Sequence, residues 1–386
     1  MGKTTGRARP ATLNIDPRGA IDMQTKLATA MTALLLASLA TPASARVPSK
    51  RILFASFDGF SSGLRSIKPN GDGRRALTQS QHINPRWSPD RTQIAFERAR
   101  RGDTTALFVA RRNGGGARRL TQLRRDFYKE GFDWSPDGTK IAYATRADES
   151  STHDIHVVDV SSGESTQLTE ATGDEYEPVW SPDGSKIAYT TITTGAEPTG
   201  PSNTDIAVMD ADGSNETLLT EHAHPDYSPQ WSPEGSRVSF ISERDDEYAL
   251  NPDIGPYFTE IYVMGSAGDS ERRVTDHRVF KDEYEWSPDG SRFAYLGRCD
   301  IDVCGDRETD VYAIDTDGTG RRNLTRNERF ESTNDIEWSP NGKWVAYVWV
   351  QRGGRSSDLM IATAAGDRSI KRVTHSRRSG EGDLDW

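Results

Sequence analysis

The 386-residue sequence has few cysteines, few apolar residues and fewer basic than acidic residues. Lys and Arg together number 48 against 58 for Asp and Glu, which gives a net charge of -10. This balance argues against nucleic acid as the partner, because phosphate binding needs a net basic face. Hydrophobic residues make up only 34% of the chain, yet 9 Trp, 12 Tyr and 12 Phe supply apolar surface that a disordered chain lacks. We therefore expect a folded protein that does not bind nucleic acid.

The two cysteines, Cys299 and Cys304, lie close together in one predicted loop. They lack the C-x-x-C spacing of a redox pair, and two ligands alone do not make a zinc site. We predict a disulfide between them that closes this loop in an oxidising compartment.

No apolar run is long enough to cross a bilayer, which takes about 20 residues. The run from Leu27 to Ala40 follows Lys26 and precedes a small-x-small site that ends at Ala45. This pattern predicts a signal peptide over residues 23–45, cleaved after Ala45, and leaves an uncleaved membrane anchor as the alternative. Residues 1–22 are interpreted as an upstream extension that is not native. The mature chain, residues 46–386, is predicted to be one domain, a soluble monomer that is secreted or periplasmic and has no membrane span.

A repeat of about fifty residues dominates the chain after residue 50, and its marker is Trp-Ser-Pro. The repeat tryptophans are Trp87, Trp134, Trp180, Trp231, Trp286, Trp338 and the final Trp386. One unit reads as four short strands, a to d: 176–180, 186–190, 205–210 and 217–220. The Ser-Pro-Asp-Gly after strand a has the residue preferences of a type I turn. Such a sheet must stack on its neighbours, so the unit predicts a blade of a β-propeller or one layer of a linear solenoid.

The strand count favours a ring over a solenoid. Strand b and strand d each occur seven times, but the first unit lacks strand a and the chain ends on a spare strand a. We therefore predict an all-β, seven-bladed propeller of four-stranded antiparallel blades. Its closing blade combines the C-terminal strand 382–386 with the N-terminal strand 51–56, which removes two open sheet edges.

The units W-S-P-D-G-S-K-I-A-Y, followed by an I-Y-V-M-D-like strand and R-x-L-T, resemble the WD-like repeat of the TolB-type β-propeller family. Propellers of prolyl-oligopeptidase relatives and of oligogalacturonate lyases are related to it. The resemblance implies a cell-envelope protein; TolB itself has an α/β domain before a six-bladed propeller and works with peptidoglycan-associated lipoprotein. This sequence departs from TolB in its seven units and in having only a few residues between Ala45 and Arg51, too few for that domain.

The loops that join strands b to c and d to a leave the propeller on one face, which we call the b-c/d-a face. The b-c loops vary in length while the a-b turns do not, and variable loops on a rigid frame commonly carry binding. Polar residues gather in these loops and just before the first strand of each blade, where the channel mouth is expected. The candidate ligand-binding residues there are Arg100, Arg101, Arg124, Arg125, His82, Asp174, Glu175, Asp226, Tyr227, Asp282, Glu283 and Asp335.

Histidine and carboxylate side chains that converge on one axis suit a divalent cation, and His222 with His224 is the best metal candidate. The opposing interpretation is that these acids bond neighbouring loops and the histidines face water. We predict no cofactor, with a divalent metal left open.

The function predicted from the sequence is an exported, non-enzymatic binding or scaffold module for a protein, peptide or envelope glycan. The alternative is a metal-dependent polysaccharide lyase or hydrolase with its site at the channel mouth. A purely structural scaffold is a third possibility.

Overall fold

The seven repeats form seven four-stranded antiparallel sheets, and each sheet is one blade. The computed structural model describes residues 50–57, 62–79, 82–100, 104–122, 131–146, 151–170, 172–193, 203–245, 258–277, 279–281, 283–298, 309–325, 335–350, 356–367, 369–376 and 380–386. The predicted leader and both cysteines lie outside these residues. The described part of the chain contains strands and turns but no helix. The predicted all-β class is therefore confirmed.

The strands of the first four blades follow one another along the chain. Blade 1 contains β1 (Ile52–Phe57), β2 (Ser62–Ile67) and β3 (Arg75–Ala76); blade 2 contains β4 (His82–Trp87), β5 (Gln93–Arg100), β6 (Thr104–Arg111) and β7 (Arg118–Arg119). Blade 3 contains β8 (Phe132–Trp134), β9 (Lys140–Arg146), β10 (His153–Asp159) and β11 (Ser165–Gln167); blade 4 contains β12 (Glu175–Trp180), β13 (Lys186–Thr193), β14 (Asn203–Asp210) and β15 (Thr217–Leu218).

The remaining blades repeat the pattern, and the last strand returns to blade 1. Blade 5 contains β16 (Asp226–Trp231), β17 (Arg237–Ser242), β18 (Glu260–Gly265) and β19 (Arg272–Arg273); blade 6 contains β20 (Tyr284–Trp286), β21 (Arg292–Arg298), β22 (Thr309–Asp315) and β23 (Arg322–Asn323). Blade 7 contains β24 (Ile336–Trp338), β25 (Trp344–Val350), β26 (Ser357–Thr363) and β27 (Ile370–Arg372), and β28 (Gly380–Asp385) completes blade 1.

The two ends of the propeller meet in blade 1, as the sequence predicts. Strand β28 pairs antiparallel with β1, with Phe54 opposite Leu384 and Ser56 opposite Glu381. The observed C-terminal strand begins two residues earlier than predicted, and Trp386 follows it as a buried residue. The seven-bladed ring and its closure by the C-terminal strand are confirmed.

The hydrophobic core is divided among the seven contacts between adjacent blades. Each contact holds one apolar cluster built from both neighbours; at the closure, Trp386 and Leu384 pack with Phe54 of blade 1 and with Leu359 and Ile361 of blade 7. The tryptophan at the end of the first strand is buried in blades 3 to 7 and in blade 1. These tryptophans are core residues packed between neighbouring blades.

The a-b turns keep one length because their side chains satisfy the turn's own backbone. In blade 4 the Ser181 hydroxyl donates to the carboxylate of Asp183 (2.6 Å) and accepts the backbone N–H of Lys186 (2.9 Å). The N–H of Gly184 donates to the carbonyl of Ser181, and Gly184 has a φ of 72°, where glycine carries no steric penalty. The Ser-Pro-Asp-Gly sequence therefore fixes where the first strand ends, on the face of the propeller that carries the a-b turns.

Candidate functional site

The first strand of a blade lines the axis of the ring, and in several blades it contains a bulge. The pairing of β4 with β5, of β12 with β13 and of β16 with β17 shifts register three residues before the tryptophan. In blades 2, 4 and 5 proline occupies the next position, where its missing N–H breaks no ladder bond.

The bulge residues have left-handed backbone conformations at equivalent positions. Asn84, Glu177, Ser228 and Asp383 have φ angles of 49°, 53°, 55° and 44°, and Gly131 has 66°. Such angles are uncommon for residues other than glycine and persist only where the surrounding structure imposes them. The residues three before the tryptophan, which we call the mouth ring, are Asn84, Gly131, Glu177, Ser228, Glu283, Asp335 and Asp383. They lie toward the b-c/d-a face, because the first strand runs from that face to the a-b turns.

The mouth-ring carboxylates hold the next blade by its backbone. Glu177 accepts the N–H of Ser228 (2.8 Å), Glu283 accepts the N–H of Ile336 (2.8 Å), and Asp335 accepts the N–H of Asp383 (2.7 Å). Asp383 in turn accepts the N–H of Asn84 (3.0 Å) across the closure. These bonds tie the inner edge of one blade to that of its neighbour.

A second ring lies one step deeper, at the residue immediately before the tryptophan. This inner ring consists of Arg86, Asp133, Val179, Gln230, Glu285, Glu337 and Asp385. Asp133 accepts the backbone N–H of Trp180 (2.8 Å) and Asp385 accepts that of Trp87 (2.5 Å), so both also hold the next blade. The two rings together carry eight carboxylates and one guanidinium.

The inner ring perturbs the ionisation of its own members. Burial raises the pKa of Asp133 to about 6 and that of Glu285 to about 7, and Asp385 adds to the effect on Glu285. Burial and the neighbouring Glu285 and Asp385 also raise the pKa of Glu337 well above its usual value. Burial opposes the charge of Arg86, but the four inner-ring carboxylates outweigh it and raise the pKa of the guanidinium.

The rings enclose a cavity of about 540 Å³ on the axis, to which residues of all seven blades contribute. Its wall includes the whole mouth ring and five inner-ring residues, from Arg86 to Glu285. Pockets of this size hold small molecules or a few residues of a peptide. The cavity is therefore an acidic channel on a rigid frame, suited to bind a ligand along the axis.

The structure brings only some of the predicted site residues to this channel. Glu283 and Asp335 line it, as members of the mouth ring. Glu175 and Asp226 are fully buried instead. Glu175, in blade 4, accepts the hydroxyl of Thr169 at the end of blade 3, and Asp226 pairs with Arg244 of its own blade at 2.6 Å. Neither acid lines the cavity.

The other described candidates also have hydrogen-bond partners, within their own blade or in the preceding one. His82 is buried, and its Nδ1 lies 2.6 Å from the hydroxyl oxygen of Thr78. Burial lowers the pKa of His82 to about 4, so its imidazole is neutral at physiological pH. Asp174 accepts the backbone N–H of His153 at 2.8 Å, and the Tyr227 hydroxyl donates to Glu243 at 3.4 Å. The side chain of Arg100 lies outside the described part of the chain, as do Arg101, Arg124, Arg125 and Asp282, so their predicted roles stay predictions.

His222 and His224 lie between β15 and β16, away from the residues that line the channel. Their ring centroids are 5.6 Å apart, and the backbone N–H of His224 donates to Nδ1 of His222 (3.3 Å). Within the described residues no group of three or more His, Cys, Asp or Glu side chains is arranged to hold a metal ion. The two histidines alone supply two of the four ligands that a typical zinc site uses, and the metal remains a prediction.

Sequence reasoning missed the acidic residues of the inner ring. Their signal is the position before each repeat tryptophan, which is Arg, Asp, Val, Gln, Glu, Glu and Asp in turn. Alternation along a strand points this residue away from the buried tryptophan and therefore toward the axis.

Comparison with known proteins identifies relatives of uncertain role. None of the protein-family models compared with the chain matches it. An uncharacterized protein of Agrobacterium fabrum is 28% identical over 212 residues, which is 54% of this chain and 67% of that protein. An uncharacterized peptidase of Bacillus subtilis, YuxL, is 29% identical over 44% of this chain, but the match spans only 23% of its length.

Solved structures show the class of fold. TolB from Acinetobacter baumannii matches with a TM-score of 0.53 at 19% identity, over 85% of this chain and 79% of that chain. A putative TolB from Agrobacterium tumefaciens matches with a TM-score of 0.50 at 22% identity. The match covers 76% of this chain and 95% of that chain. An oligogalacturonate lyase in complex with manganese matches with a TM-score of 0.58 at 17% identity. The match covers 78% of this chain and 82% of that chain. An acylaminoacyl peptidase and a prolyl endopeptidase match as well, at 14% and 12% identity.

The chain therefore has a TolB-like β-propeller fold with seven blades. At these identities the comparisons establish the fold alone. Among the described residues there is no helix long and apolar enough to cross a membrane.

Proposed function

We propose that this chain is an exported, non-enzymatic binding module whose ligand enters the channel from the b-c/d-a face. The ligand class is a protein, peptide or glycan of the cell envelope. The processed chain is a monomer in the periplasm or outside the cell, and it binds neither nucleic acid nor the membrane interior. The leader over residues 23–45 and the excess of acidic residues support this assignment.

The observation that carries the proposal is the axial cavity with its two polar rings. All seven blades contribute to its wall, so the wall is as rigid as the ring itself. Four mouth-ring residues other than glycine are held at positive φ, which marks a surface whose geometry the fold imposes. A preorganised polar pocket on a stiff frame favours binding, because little conformational entropy is lost when a ligand enters.

The bonds of the channel carboxylates support binding over catalysis. Six of the eight accept a backbone N–H of the next blade, as described above, so each of these six carboxylates already has a structural role in holding the ring. A general acid or base must instead exchange its proton with a substrate.

Affinity capture tests the proposal. The processed chain, tagged directly after Ala45 so that the C-terminal strand stays free, is purified from its own envelope extract at several ionic strengths. We expect one protein, peptide or glycan to be retained in stoichiometric amount. Retention of nothing at any ionic strength contradicts the proposal.

A metal-dependent lyase or hydrolase with His222 and His224 as ligands is the competing proposal, favoured by the fold likeness to the manganese-bound lyase. Elemental analysis of the purified chain separates the two. A stoichiometric divalent ion that is lost when both histidines are changed to alanine supports the enzyme. A metal-free protein that keeps its captured partner after these changes supports the binding module.

A further inference from the structure

The basic residues of the chain are concentrated in its first two blades. The described strands of blades 1 and 2, apart from β28, lie within residues 50–122, which contain 15 Lys and Arg against 5 Asp and Glu. Residues 123–386 contain 27 Lys and Arg against 51 Asp and Glu. The negative net charge of the whole chain conceals this difference. Blades 1 and 2 therefore form a sector of positive charge on a ring that is otherwise acidic.

The difference is clearest where the second and third strands of a blade reach the turn face, which is the face that carries the a-b and c-d turns. In three other blades a base on the second strand lies opposite an acid on the third; these pairs are Lys140 with Asp159, Lys186 with Asp210 and Arg292 with Asp315. In blade 2 the same position pairs Gln93 with Arg111. In blade 1 the equivalent repeat positions are Arg51 and Lys68. A base thus replaces the acid in these two blades.

The bases of the two blades form one surface. We call it the basic patch, and it consists of Arg51, Lys68, Arg75, Arg111, Arg112 and Arg118. The backbone N–H of Arg112 donates to the carbonyl of Thr92 (2.8 Å), which joins the c-d turn of blade 2 to its a-b turn. The same c-d turn packs directly on blade 1, because a Cβ on Gly114 would overlap the carbonyl oxygen of Leu77. The patch is therefore continuous across the contact between blades 1 and 2.

No member of the basic patch forms an ion pair with a described residue. The guanidinium of Arg51 donates to the hydroxyl oxygen of Ser66 (2.9 Å) and to the carbonyl of Ser66 (2.8 Å), so it is held in place without a carboxylate. In blade 4, by contrast, the ammonium of Lys186 lies 2.7 Å from a carboxylate oxygen of Asp210. The positive charge of the patch is therefore available to a partner.

The members of the patch are accessible and close enough to repel one another. Four of them are exposed: Arg75, Arg111, Arg112 and Arg118. Burial and the charges of Arg75 and Arg112 lower the pKa of Arg51, which is the direction that neighbouring groups of like charge impose. A partner that brings negative charge relieves this repulsion.

We propose that the basic patch docks the ring on a bilayer surface that carries anionic phospholipid headgroups. Lys and Arg residues are attracted to such a surface within about a Debye length of it, and arginine forms bidentate hydrogen bonds with phosphate. The turn face lies opposite the b-c/d-a face, so docking leaves the channel mouth open to solvent. This inference goes beyond the channel ligand and does not depend on it.

A flat anionic surface fits the patch better than a nucleic acid or an acidic protein. The patch presents short turns closed by their own backbone bonds, such as that from the N–H of Lys68 to the carbonyl of Asp72, whereas a helix or a two-stranded ribbon enters a DNA groove. Single-stranded nucleic acid is bound by aromatic stacking, and protein interfaces have an apolar core. Among the described residues the large apolar side chains that are exposed are Phe57 and Leu218, and neither belongs to the patch. Binding by charge alone suits a headgroup surface.

The test is co-sedimentation of the processed full chain, without a tag, with vesicles at low ionic strength, where electrostatic attraction is screened least. Vesicles of phosphatidylcholine alone are compared with vesicles of phosphatidylcholine and phosphatidylglycerol in equal amounts. A duplex oligonucleotide is the competing polyanion. We expect the chain to sediment with the anionic vesicles and not with the neutral ones, and we expect added salt to release it.

A triple variant tests the patch itself: Arg75→Gln, Arg111→Gln, Arg112→Gln. These exposed side chains form no ion pair with a described residue, so the variant is expected to fold and to melt like the wild type. It should bind the anionic vesicles at least about tenfold more weakly. The matched control makes the same charge change in blades 3, 4 and 5 and is expected to bind like the wild type: Lys140→Gln, Lys186→Gln, Arg272→Gln.

Four results overturn the proposal: equal vesicle binding by the triple variant and the wild type, an equal loss in the control, equal sedimentation with neutral and anionic vesicles, or tighter binding to the duplex than to the anionic vesicles. The channel ligand is tested separately, because the triple variant should capture the envelope partner as the wild type does. A triple variant that loses this partner together with the vesicles assigns the patch to the partner and overturns the lipid surface. If the anionic vesicles bind through the patch but no envelope partner is retained, the docking surface stands and the channel proposal does not.

Discussion

At the scale of single residues, the most regular feature of the fold is the threonine of the R-x-L-T motif. In all seven blades its hydroxyl accepts a backbone N–H from the third strand, from Leu64 to Thr78 in blade 1 through Leu359 to Thr374 in blade 7. Where an acid immediately precedes that N–H donor, as with Asp205, Glu260 and Asp310, the same hydroxyl donates to the carboxylate. The fourth, outermost strand of each blade is only two or three residues long. The threonine hydroxyl therefore replaces backbone hydrogen bonds that a longer fourth strand would make to the third strand.

Replacing Thr275 by valine is expected to destabilise the protein by about 1–3 kcal/mol. The hydroxyl of Thr275 is fully buried, accepts the N–H of Ile261 at 2.9 Å and donates to Glu260. Valine fills the same space but leaves both groups without this partner. Urea unfolding measures the effect, with Thr217→Val as the exposed control, for which a change within about 0.5 kcal/mol is expected. Equal losses in the two variants contradict the role assigned to the buried hydroxyl.

The role of a residue was predictable from the sequence where the same residue type recurs at the same repeat position with the same chemical function. The tryptophans and the Ser-Pro-Asp-Gly turns keep their chemistry in most units, and the structure confirms both. The acids were harder to place. Glu175 and Glu177 differ by two positions, yet Glu175 is buried against Thr169 of blade 3 whereas Glu177 lines the cavity. The bulge between them breaks the simple alternation of a strand.

At the scale of elements, β28 is the strand on which the ring depends. It supplies the inner edge of blade 1, and its Glu381 is buried, pairs with Arg74 at 2.8 Å and accepts the Ser376 hydroxyl at 2.5 Å. Leu384 and Trp386 fill the contact between blades 1 and 7. The contacts of β28 with blade 1, such as that of Glu381 with Arg74, join residues about 300 positions apart, so they form only when the ring closes.

A chain that ends at Ser379 is therefore expected to lose at least about 4 kcal/mol of stability, the cost of removing a buried tryptophan alone. Thermal unfolding should show a lower and broader transition. A synthetic peptide of residues 380–386 should restore part of the loss, whereas a peptide of the same residues in scrambled order should not. A truncated chain that melts like the complete one would mean that β28 does not fasten the ring.

Strand order was predictable from the sequence because incomplete units at the two ends complement each other. The strand bulges were not, since left-handed glutamate or serine has no local sequence preference behind it. Pro85, Pro178 and Pro229 mark the bulge in three blades, but blade 1 reaches the same conformation at Asp383 without a proline. Tertiary contacts between blades, not local propensity, set the backbone there.

At the scale of the whole molecule, the ring concentrates acidic residues on its axis. Each unit contributes two positions to the rings, and the sequence differences between units at these positions give the channel its charge. A count of repeats predicted the seven blades, but the acidity of the channel emerges only when the seven inner strands are brought together. Glu283 and Asp335 were therefore predicted at the channel mouth, but the inner ring was not.

The most direct test of the account asks from which face the ligand approaches. A photo-crosslinking residue is placed at Glu221, in the d-a segment after blade 4, or at Ser185, in the a-b turn of the same blade; both positions are exposed. Each protein is irradiated in envelope extract and the attached partner is identified. The account predicts a partner crosslinked from Glu221 and none from Ser185, whereas a partner crosslinked only from Ser185 would contradict the assignment of the channel mouth as the binding face.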